Sequence, residues 1–412
     1  MRNITDTITY IGVDDTDIDL FESQYIVPNG ISYNSYLILD EKVAIMDTVD
    51  ARKSEEWWQN LREALGGRKP DYLVVHHMEP DHAGNIAKVV EEFPEVKIVA
   101  SARAVDMMPQ FFEETDFTGR TIAVKEGDTL SLGAHTLTFL MAPMVHWPEV
   151  MVSYDSLDKV VFSADGFGKF GALAHEEDWA CEARRYYFNI CGKYGAPVQA
   201  LLKKIAKLDV AIICPLHGPI LTENLGYYIG LYDCWSRYDV ESEGVFVAYA
   251  SIHGGTAKAA KKLAEILLEK GAKKVAMADL TRDDMAEAVE DAFRYGRMVV
   301  AASSYDGDVF TPMHSFLHKL SLKGYRNRRV AIVENGSWAP CAGRVMKGML
   351  EAMPGVEIVG DMVTLRSTMK QSDIPALEQL ADAIMALAAL QPHYFSALPS
   401  AKALPTTSPS SM

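Results

Sequence analysis

Apolar and polar residues alternate in short blocks, and the order of the strands and helices that these blocks predict changes near residue 245. Before this point, β-type runs dominate and are joined by occasional helical stretches. Residues 54–65 are one such stretch, with Trp57, Trp58, Leu61 and Leu65 at helical spacing. After this point, strands and helices alternate regularly. The pattern therefore predicts two regions of different architecture.

The first region predicts strands joined by few helices, whereas the second predicts a regular strand–helix alternation. Predicted strands of the first region cover residues 33–39, 43–47, 72–75, 96–100, 121–124, 136–141, 150–154, 159–163 and 210–214, with helices at 54–65, 86–93 and 102–114. Predicted strands of the second region cover 244–249, 275–277, 298–303, 329–333 and 356–363, with helices at 257–270, 283–293, 311–323, 341–353 and 374–390. Five strands with interleaved helices predict a doubly wound parallel sheet.

The length of 412 residues also favours two domains over a single core. We place them at residues 1–243 and 244–390. The tail at residues 391–412 is rich in Pro, Ser, Ala and Thr and is predicted to be disordered.

Composition excludes several functional classes. The net charge of −16 argues against nucleic acid and anionic lipid as partners. No apolar run approaches the ~20 residues of a membrane helix, and the N-terminus has no signal-peptide core. The five cysteines are scattered and form no C-x-x-C pair, which excludes a disulfide framework and a cysteine-ligated metal module. We therefore expect a cytoplasmic protein.

A dense set of metal-ligand side chains follows the predicted strand at residues 72–75. His77, Glu79, Asp81 and His82 lie within six positions, and Pro80 stiffens the loop between the two carboxylates. Such groups repel or desolvate one another unless a cation binds them. The alternative is a polar strand-to-helix loop in which Asp81 caps the helix.

Three further candidates, His146, Asp165 and His217, each come just after an apolar run. Singly, each has a structural explanation as a surface histidine or a turn cap. Together they match a two-metal plan, in which one carboxylate bridges the ions. The first site would use His77, Glu79 and His146, the second Asp81, His82 and His217, and Asp165 would bridge. Imidazole and carboxylate ligands suit iron, manganese or zinc.

A hydroxyl- and glycine-rich turn after the strand at residues 244–249 predicts a phosphate cradle at a helix N-terminus. Its residues are Ser251, Ile252, His253, Gly254, Gly255 and Thr256. The turn lacks G-x-G-x-x-G, which favours FMN over FAD or NAD. Two more loops end strands of the same sheet, at the edge where doubly wound sheets bind their ligands: Ser303, Ser304, Tyr305, Asp306 and Gly307, and Asn335, Gly336, Ser337 and Trp338. Tyr305 and Trp338 are candidates to pack near a flavin ring, and a resemblance to flavodoxin-like proteins implies that both loops bind it. Tyr305 and Trp338 have an alternative explanation as surface or dimer contacts.

The chain closely resembles the flavodiiron proteins, also called A-type flavoproteins, over residues 1 to about 390. The H-x-[HE]-x-D-H pattern is similar to that of the metallo-β-lactamase superfamily, with Glu79 where its hydrolases usually carry a third histidine. Further matching strings are residues 32–36, His146-Trp147-Pro148, residues 162–165 and His217-Gly218. The resemblance implies an αββα metallo-β-lactamase-like sandwich followed by a flavodoxin-like five-stranded sheet.

The resemblance also implies an oxidoreductase that contains FMN and a non-haem diiron site. It would reduce O₂ to water, NO to N₂O, or both, and so protect against oxygen or nitrosative stress. Electrons would come from an external donor, namely rubredoxin, a reduced deazaflavin or a reductase. A head-to-tail homodimer, or a dimer of dimers, would bring one subunit's FMN to its neighbour's irons. The alternative is a zinc metallohydrolase with an appended flavodoxin domain.

Overall fold

The computed structural model describes residues 2–386. The predicted disordered tail at residues 391–412, and the last residues of the helix predicted at 374–390, lie outside this range. Within it, no helix combines the length and the apolar character needed to cross a bilayer.

The first part of the chain forms two stacked sheets and two smaller strand pairs. Its strands are β1 Arg2–Asn3, β2 Ile8–Tyr10, β3 Val13–Asp15, β4 Leu20–Phe21, β5 Tyr25–Ile26, β6 Ile31–Tyr33, β7 Tyr36–Leu39, β8 Val43–Met46, β9 Tyr72–Val75, β10 Lys97–Ser101, β11 Thr121–Val124, β12 Thr129–Ser131, β13 Thr136–Met141, β14 Met151–Asp155, β15 Val160–Phe162 and β16 Ile212–Cys214. One sheet has the order β1-β2-β7-β8-β9-β10-β11, and the other has the order β12-β13-β14-β15-β16.

Seven helices accompany these strands. They are α1 Ser54–Leu65, α2 Pro80–Ala83, α3 Ile86–Glu92, α4 Ala102–Phe111, α5 Trp179–Ile190, α6 Gly195–Ile205 and α7 Leu225–Ser236, and a 3₁₀ turn, Ala51–Lys53, precedes α1. Helix α1 has the limits that the sequence predicted. The strand predicted at residues 33–39 is instead divided between β6 and β7.

The alternation of side chains along each strand produces the layers. In β9, Val74 packs against residues of the second sheet such as Phe139. Its neighbours Leu73 and Val75 face the opposite way and pack with Trp57 of α1. Helices α5, α6 and α7 pack on the outer face of the second sheet. The layer order is therefore helix, sheet, sheet, helix, which confirms the predicted αββα sandwich.

The second part is a parallel sheet with helices on both faces. Its strands are β17 Val245–Ala250, β18 Val275–Asp279, β19 Arg297–Tyr305, β20 Asp308–Val309, β21 Arg329–Asn335, β22 Glu357–Ile358 and β23 Val363–Leu365. Its helices are α8 Gly255–Glu269, α9 Met285–Arg294, α10 Thr311–Lys323, α11 Ala342–Glu351 and α12 Ile374–Met385, and a 3₁₀ turn, Gln371–Asp373, precedes α12.

The strand order is β18-β17-β19-β21, with β22 and β23 both pairing in parallel with β21. This is the flavodoxin-like order, so the predicted doubly wound sheet is confirmed. The fifth strand, predicted as continuous over residues 356–363, is in fact broken into β22 and β23. Gly360, with φ of 70°, lies at the break.

The two parts meet through helices α5 and α9. Phe188 and Phe293 stack with ring centroids 4.2 Å apart and planes at 11°. Arg184 pairs with the buried carboxylate of Glu290, and Arg185 Nη2 lies 2.7 Å from Asp284 Oδ2. Apolar packing and buried ion pairs therefore join the sandwich to the parallel sheet. The domain limits at residues 243 and 244 remain a prediction.

Candidate functional site

The ligand-type side chains lie at strand ends on one edge of the sandwich. β9 ends at Val75, and the chain then passes through His77 into the one-turn helix α2, whose first residue is Pro80. Proline suits this position because it needs no backbone N–H there. The turn buries Asp81 and His82 and leaves Glu79 at the start of the helix. Strand order thus places the predicted cluster at one edge.

The structure brings His77, Glu79, His146 and Asp165 into one group. Glu79 Oε2 lies 3.1 Å from His77 Nε2 and 3.0 Å from His146 Nε2. Asp165 Oδ2 lies 3.4 Å from His77 Nε2 and 3.2 Å from His146 Nε2. Two imidazole nitrogens and two carboxylate oxygens therefore face a common point.

Asp81, His82 and His217 form a second group next to the first. Asp81 Oδ2 lies 3.3 Å from the Nε2 atoms of both histidines, which are themselves 3.1 Å apart. The other oxygen of Asp165, Oδ1, lies 3.2 Å from His82 Nε2 and 4.0 Å from His217 Nε2. Asp165 therefore presents one oxygen to each group, which is the geometry expected of a bridging carboxylate.

The hydrogen bonding of this cluster fits a pair of cations. Both oxygens of Asp81 and both of Asp165 are buried and have no hydrogen-bond partner. A buried carboxylate without partners is strongly unfavourable, so such oxygens indicate a missing cationic partner. Mixed imidazole and carboxylate sets suit iron, manganese or zinc. Glu79 gives this set one more oxygen ligand than a histidine at the same position would.

The electrostatics of the cluster agree with this conclusion. Burial, together with the charges of Glu79 and Asp165, raises the pKa of Asp81 to about 7 even though His82 opposes the shift. Burial disfavours the charged form of His146, yet Asp165 and Glu79 outweigh it and raise its pKa to about 9. The carboxylates therefore create a negative potential that bound cations would offset.

Two partners orient the histidines. His77 Nδ1–H donates to Glu149 Oε1 at 2.7 Å, and the same oxygen accepts the backbone N–H of Met78 at 2.9 Å. His217 Nδ1–H donates to the carbonyl of Ser32 at 2.7 Å. Each bond directs the opposite nitrogen, Nε2, into the cluster. The sequence analysis gave Glu149 no role, although it follows His146 by three positions and precedes a buried strand.

Aromatic rings surround the cluster. Trp147 meets His77 edge to face at 5.3 Å, and Phe21 and Tyr186 lie 5.5 and 5.4 Å from His217. The sequence analysis named Trp147 but did not find Phe21 or Tyr186, which reach the cluster from β4 and α5. These rings place apolar surface directly beside two of the ligand-type histidines.

The predicted phosphate turn lies between β17 and α8. Gly254 has φ of 85°, and its N–H donates to Ser251 Oγ at 3.1 Å. A Cβ on Gly255 would lie 2.3 Å from the carbonyl oxygen of Ser367. Ile252 and His253 are exposed, whereas Thr256 is buried. The turn therefore leaves the N-terminus of a long helix open to an anion.

The other two loops converge on this turn. Thr256 Oγ1 lies 2.8 Å from Ser303 Oγ and accepts from Asn335 Nδ2 at 3.2 Å. Ser367, which the sequence analysis did not find, joins them: its carbonyl accepts from Asn335 Nδ2 at 2.9 Å, and its hydroxyl donates to Ser337 Oγ at 3.0 Å. All of the predicted loops thus meet at the carboxyl ends of the parallel strands.

The remaining predicted loop residues have different surroundings. Ser304 Oγ accepts the N–H groups of Cys341 and Ala342 at the start of α11, so its hydroxyl serves that helix. Asp306 and Gly307, both with positive φ, form the two-residue turn between β19 and β20. Gly336 is packed against Pro340. Tyr305 and Trp338 stand beside the site with exposed fractions of 50% and 89%.

The fold and site define a class of protein in which an αββα sandwich with a cluster of imidazole and carboxylate side chains is joined to a flavodoxin-like sheet. Residues 31–218 match the family model "ODP family beta lactamase". The chain is 26% identical to rubredoxin oxygen:oxidoreductase from Desulfovibrio gigas, with a TM-score of 0.87 over 93% of this chain and 97% of that one. The flavodiiron protein of Giardia intestinalis shares the fold, with a TM-score of 0.87 at 22% identity over 93% and 95% of the two chains.

Curated relatives of similar sequence support the same resemblance. The chain is 28% identical to the anaerobic nitric oxide reductase flavorubredoxin of Escherichia coli over 348 residues, covering 82% of this chain and 72% of the relative. An uncharacterized protein of Methanocaldococcus jannaschii is 27% identical over 90% of this chain and 94% of its own length. The predicted resemblance to the flavodiiron proteins is confirmed.

Proposed function

We propose that this chain is an FMN-dependent non-haem diiron oxidoreductase that reduces O₂ to water, NO to N₂O, or both. The observation that carries the proposal is the cluster joined by Asp165, which lies in the same chain as a flavodoxin-like sheet. The names of two relatives support it, since one is called a nitric oxide reductase and the other a rubredoxin oxygen:oxidoreductase. Protection against oxygen or nitrosative stress would follow from such an activity.

In this proposal each residue of the cluster has one task. His77, Glu79 and His146 would hold one iron ion, and Asp81, His82 and His217 would hold the other. Asp165, which has one oxygen beside each group, would serve both. Bound iron would supply electrons and open coordination positions for a diatomic gas. Glu149 and the carbonyl of Ser32 fix the imidazole rings, and Trp147 limits the space beside His77.

The FMN site would use the turn at residues 251–256 for the phosphate. The backbone N–H groups at the start of α8 bind this anion. Hydrogen bonds join Thr256, Ser303 and Asn335 beneath this turn. The exposed rings of Tyr305 and Trp338 would lie beside the flavin ring. Bound FMN would supply two-electron reducing equivalents.

The hydrolase alternative is disfavoured at Glu79. A carboxylate lies within 3.1 Å of two imidazole nitrogens, at the position where hydrolases of the superfamily usually have a third histidine. The added negative charge favours ferric iron over zinc. The external donor (rubredoxin, a reduced deazaflavin or a reductase), the head-to-tail homodimer and a cytoplasmic location are further parts of this proposal.

Metal analysis with anaerobic kinetics tests the proposal. We expect two iron ions and one FMN per chain, and rapid oxidation of the reduced protein by O₂ or NO. Glu79→Ala and Asp165→Ala should abolish gas reduction while the flavin still accepts electrons. Asp106→Ala, which changes an exposed carboxylate on α4, is the matched control. Zinc alone, together with thioester or lactam hydrolysis, would support the hydrolase instead.

A further inference from the structure

A second group of ligand-type side chains, two of them buried and one half-buried, lies at the opposite end of the sandwich. It consists of His135, Asp155 and Asp158. His135 directly precedes β13, and Asp155 ends β14, which pairs antiparallel with β13 so that Asp155 faces Leu137. The cluster around Asp165 lies beyond the other end of β13. Six strand residues at ~3.3 Å each separate the two groups by roughly 20 Å.

The contacts within this group do not satisfy its polar atoms. His135 and Asp155 are fully buried. His135 Nδ1 lies 3.1 Å from Asp155 Oδ1, yet neither atom has a hydrogen-bond partner, and the buried Asp158 Oδ2 has none either. The cluster around Asp165 shows the same combination, because Asp165 Oδ1 lies 3.2 Å from His82 Nε2 without a hydrogen-bond partner. In both places, a ring nitrogen and a carboxylate oxygen lie within ion-pair distance, and the oxygen has no hydrogen-bond partner.

Other polar atoms of His135 and Asp155 make hydrogen bonds, and these bonds fix the orientation of the two residues. His135 Nε2 lies 2.8 Å from Thr7 Oγ1, and the backbone N–H of His135 donates to Asp40 Oδ2 at 2.7 Å. Asp155 Oδ2 accepts the backbone N–H of Asp158 at 2.9 Å. A metal-binding histidine commonly donates its second N–H in this way. His135 Nδ1, Asp155 Oδ1 and Asp158 Oδ2 therefore lie together in a fixed arrangement without hydrogen-bond partners.

We propose that His135 Nδ1, Asp155 and Asp158 bind a divalent transition-metal cation, distinct from the pair at the Asp165 cluster. Two carboxylates are enclosed here, and an imidazolium could offset only one of them. An ion pair between His135 and Asp155 would also leave Asp158 Oδ2 without a partner. A divalent cation satisfies all three atoms, and one imidazole with two carboxylates is a set that Zn²⁺ accepts.

The ion would have a structural role. Thr7 lies in the turn between β1 and β2, and Asp40 follows β7, so both belong to the first sheet. His135, Asp155 and Asp158 belong to the second sheet or to its turns. The cation would therefore fix the orientation of His135, whose own contacts to Thr7 and Asp40 join the second sheet to the first. This end is remote from the Asp165 cluster, so gas reduction would not depend on the ion.

Anomalous diffraction locates such an ion directly. Crystals of the full chain soaked in Zn²⁺ should show a peak about 2.0–2.1 Å from His135 Nδ1. In solution, Asp158→Asn should contain one metal ion fewer per chain than the wild type after equilibration with Zn²⁺. Its FMN content and gas turnover should be unchanged. Asp106→Asn, with its exposed carboxylate on another element, should keep the wild-type metal content.

Absence of density at His135, or equal zinc in the wild type and Asp158→Asn, would overturn the third site. If Asp158→Asn fails to fold, the diffraction experiment on the wild type still decides. Failure of the diiron proposal gives a different result, because it changes the metal at Asp165 and the gas turnover without affecting the peak at His135.

Discussion

His77 donates its Nδ1 hydrogen to Glu149 at 2.7 Å, across 72 positions of the chain. This bond fixes which nitrogen of His77 faces the cluster, and it makes that nitrogen a stronger ligand. Glu149 also accepts the N–H of Met78, so it holds the loop as well as the ring. A residue outside the ligand pattern thus controls the geometry of one ligand.

Glu149→Gln should weaken metal binding by about 10- to 100-fold, which is the usual effect of losing such a partner. Competition with a chelator measures the affinity, and circular dichroism checks that the variant is folded. Glu113→Gln, at an exposed position after α4, is the control and should bind metal like the wild type. Equal affinities in the two variants would show that Glu149 has no orienting role.

Glu79→His should change the metal preference of the cluster. Replacing a carboxylate with an imidazole removes one negative charge and one hard oxygen ligand, so zinc should gain at the expense of iron. The iron-to-zinc ratio of protein purified from cells supplied with both metals measures the change. FMN content should stay the same, because the predicted flavin loops belong to the parallel sheet in the second part of the chain. An unchanged ratio would contradict the role given to Glu79.

Trp338→Ala should weaken flavin binding without destabilising the protein. The side chain is 89% exposed, so its removal should change the free energy of unfolding of the flavin-free chain by less than about 0.5 kcal/mol. A lost aromatic contact of about 0.5–1.5 kcal/mol predicts a rise in the FMN Kd of about 2- to 10-fold. Fluorescence titration of the flavin-free protein measures this. Tyr227→Ala, an exposed aromatic on α7, should leave the Kd unaltered.

Alkylation of Cys181 should be slow and strongly dependent on pH. Burial and the nearby carboxylates of Glu290 and Glu287 raise the pKa of this thiol to about 12. Only about 10⁻⁴ of it is then thiolate at pH 8, and the rate should rise about tenfold per pH unit. Peptide mapping after iodoacetamide treatment measures the rate, with the partly exposed Cys341 as the internal reference. A rate independent of pH between 7 and 9 would contradict the raised pKa.

Much of the site could be predicted because several of its residues lie two to five positions after the end of an apolar strand. A polar residue just after a buried run lies at a sheet edge, and His77, His146, Asp165 and His217 all obey this rule. The predicted phosphate turn also follows a buried strand, β17, and could be recognised from neighbouring residues alone. Glu149 and Ser367 were missed because their roles depend on partners far along the chain.

Helices α5 and α7 show why part of the fold could not be predicted from the sequence. In α5, Arg184, Arg185 and Asn189 are buried, although charged and amide side chains normally indicate a surface. Their partners, such as Glu290, lie about 100 positions away in α9. In α7, apolar and aromatic residues occur around the helix, so no single face stands out. The periodicity of the sequence therefore does not reveal either helix.

The stacking of Phe188 on Phe293 has a consequence for engineering. A chimera that joins this sandwich to the flavodoxin-like half of a relative would place a foreign surface against Phe188 and leave Arg184 beside an unmatched neighbour. Grafts should therefore transplant α9 together with complementary changes on α5. Libraries built by simple exchange at residue 244 should yield insoluble products more often than libraries that carry both sides of this contact.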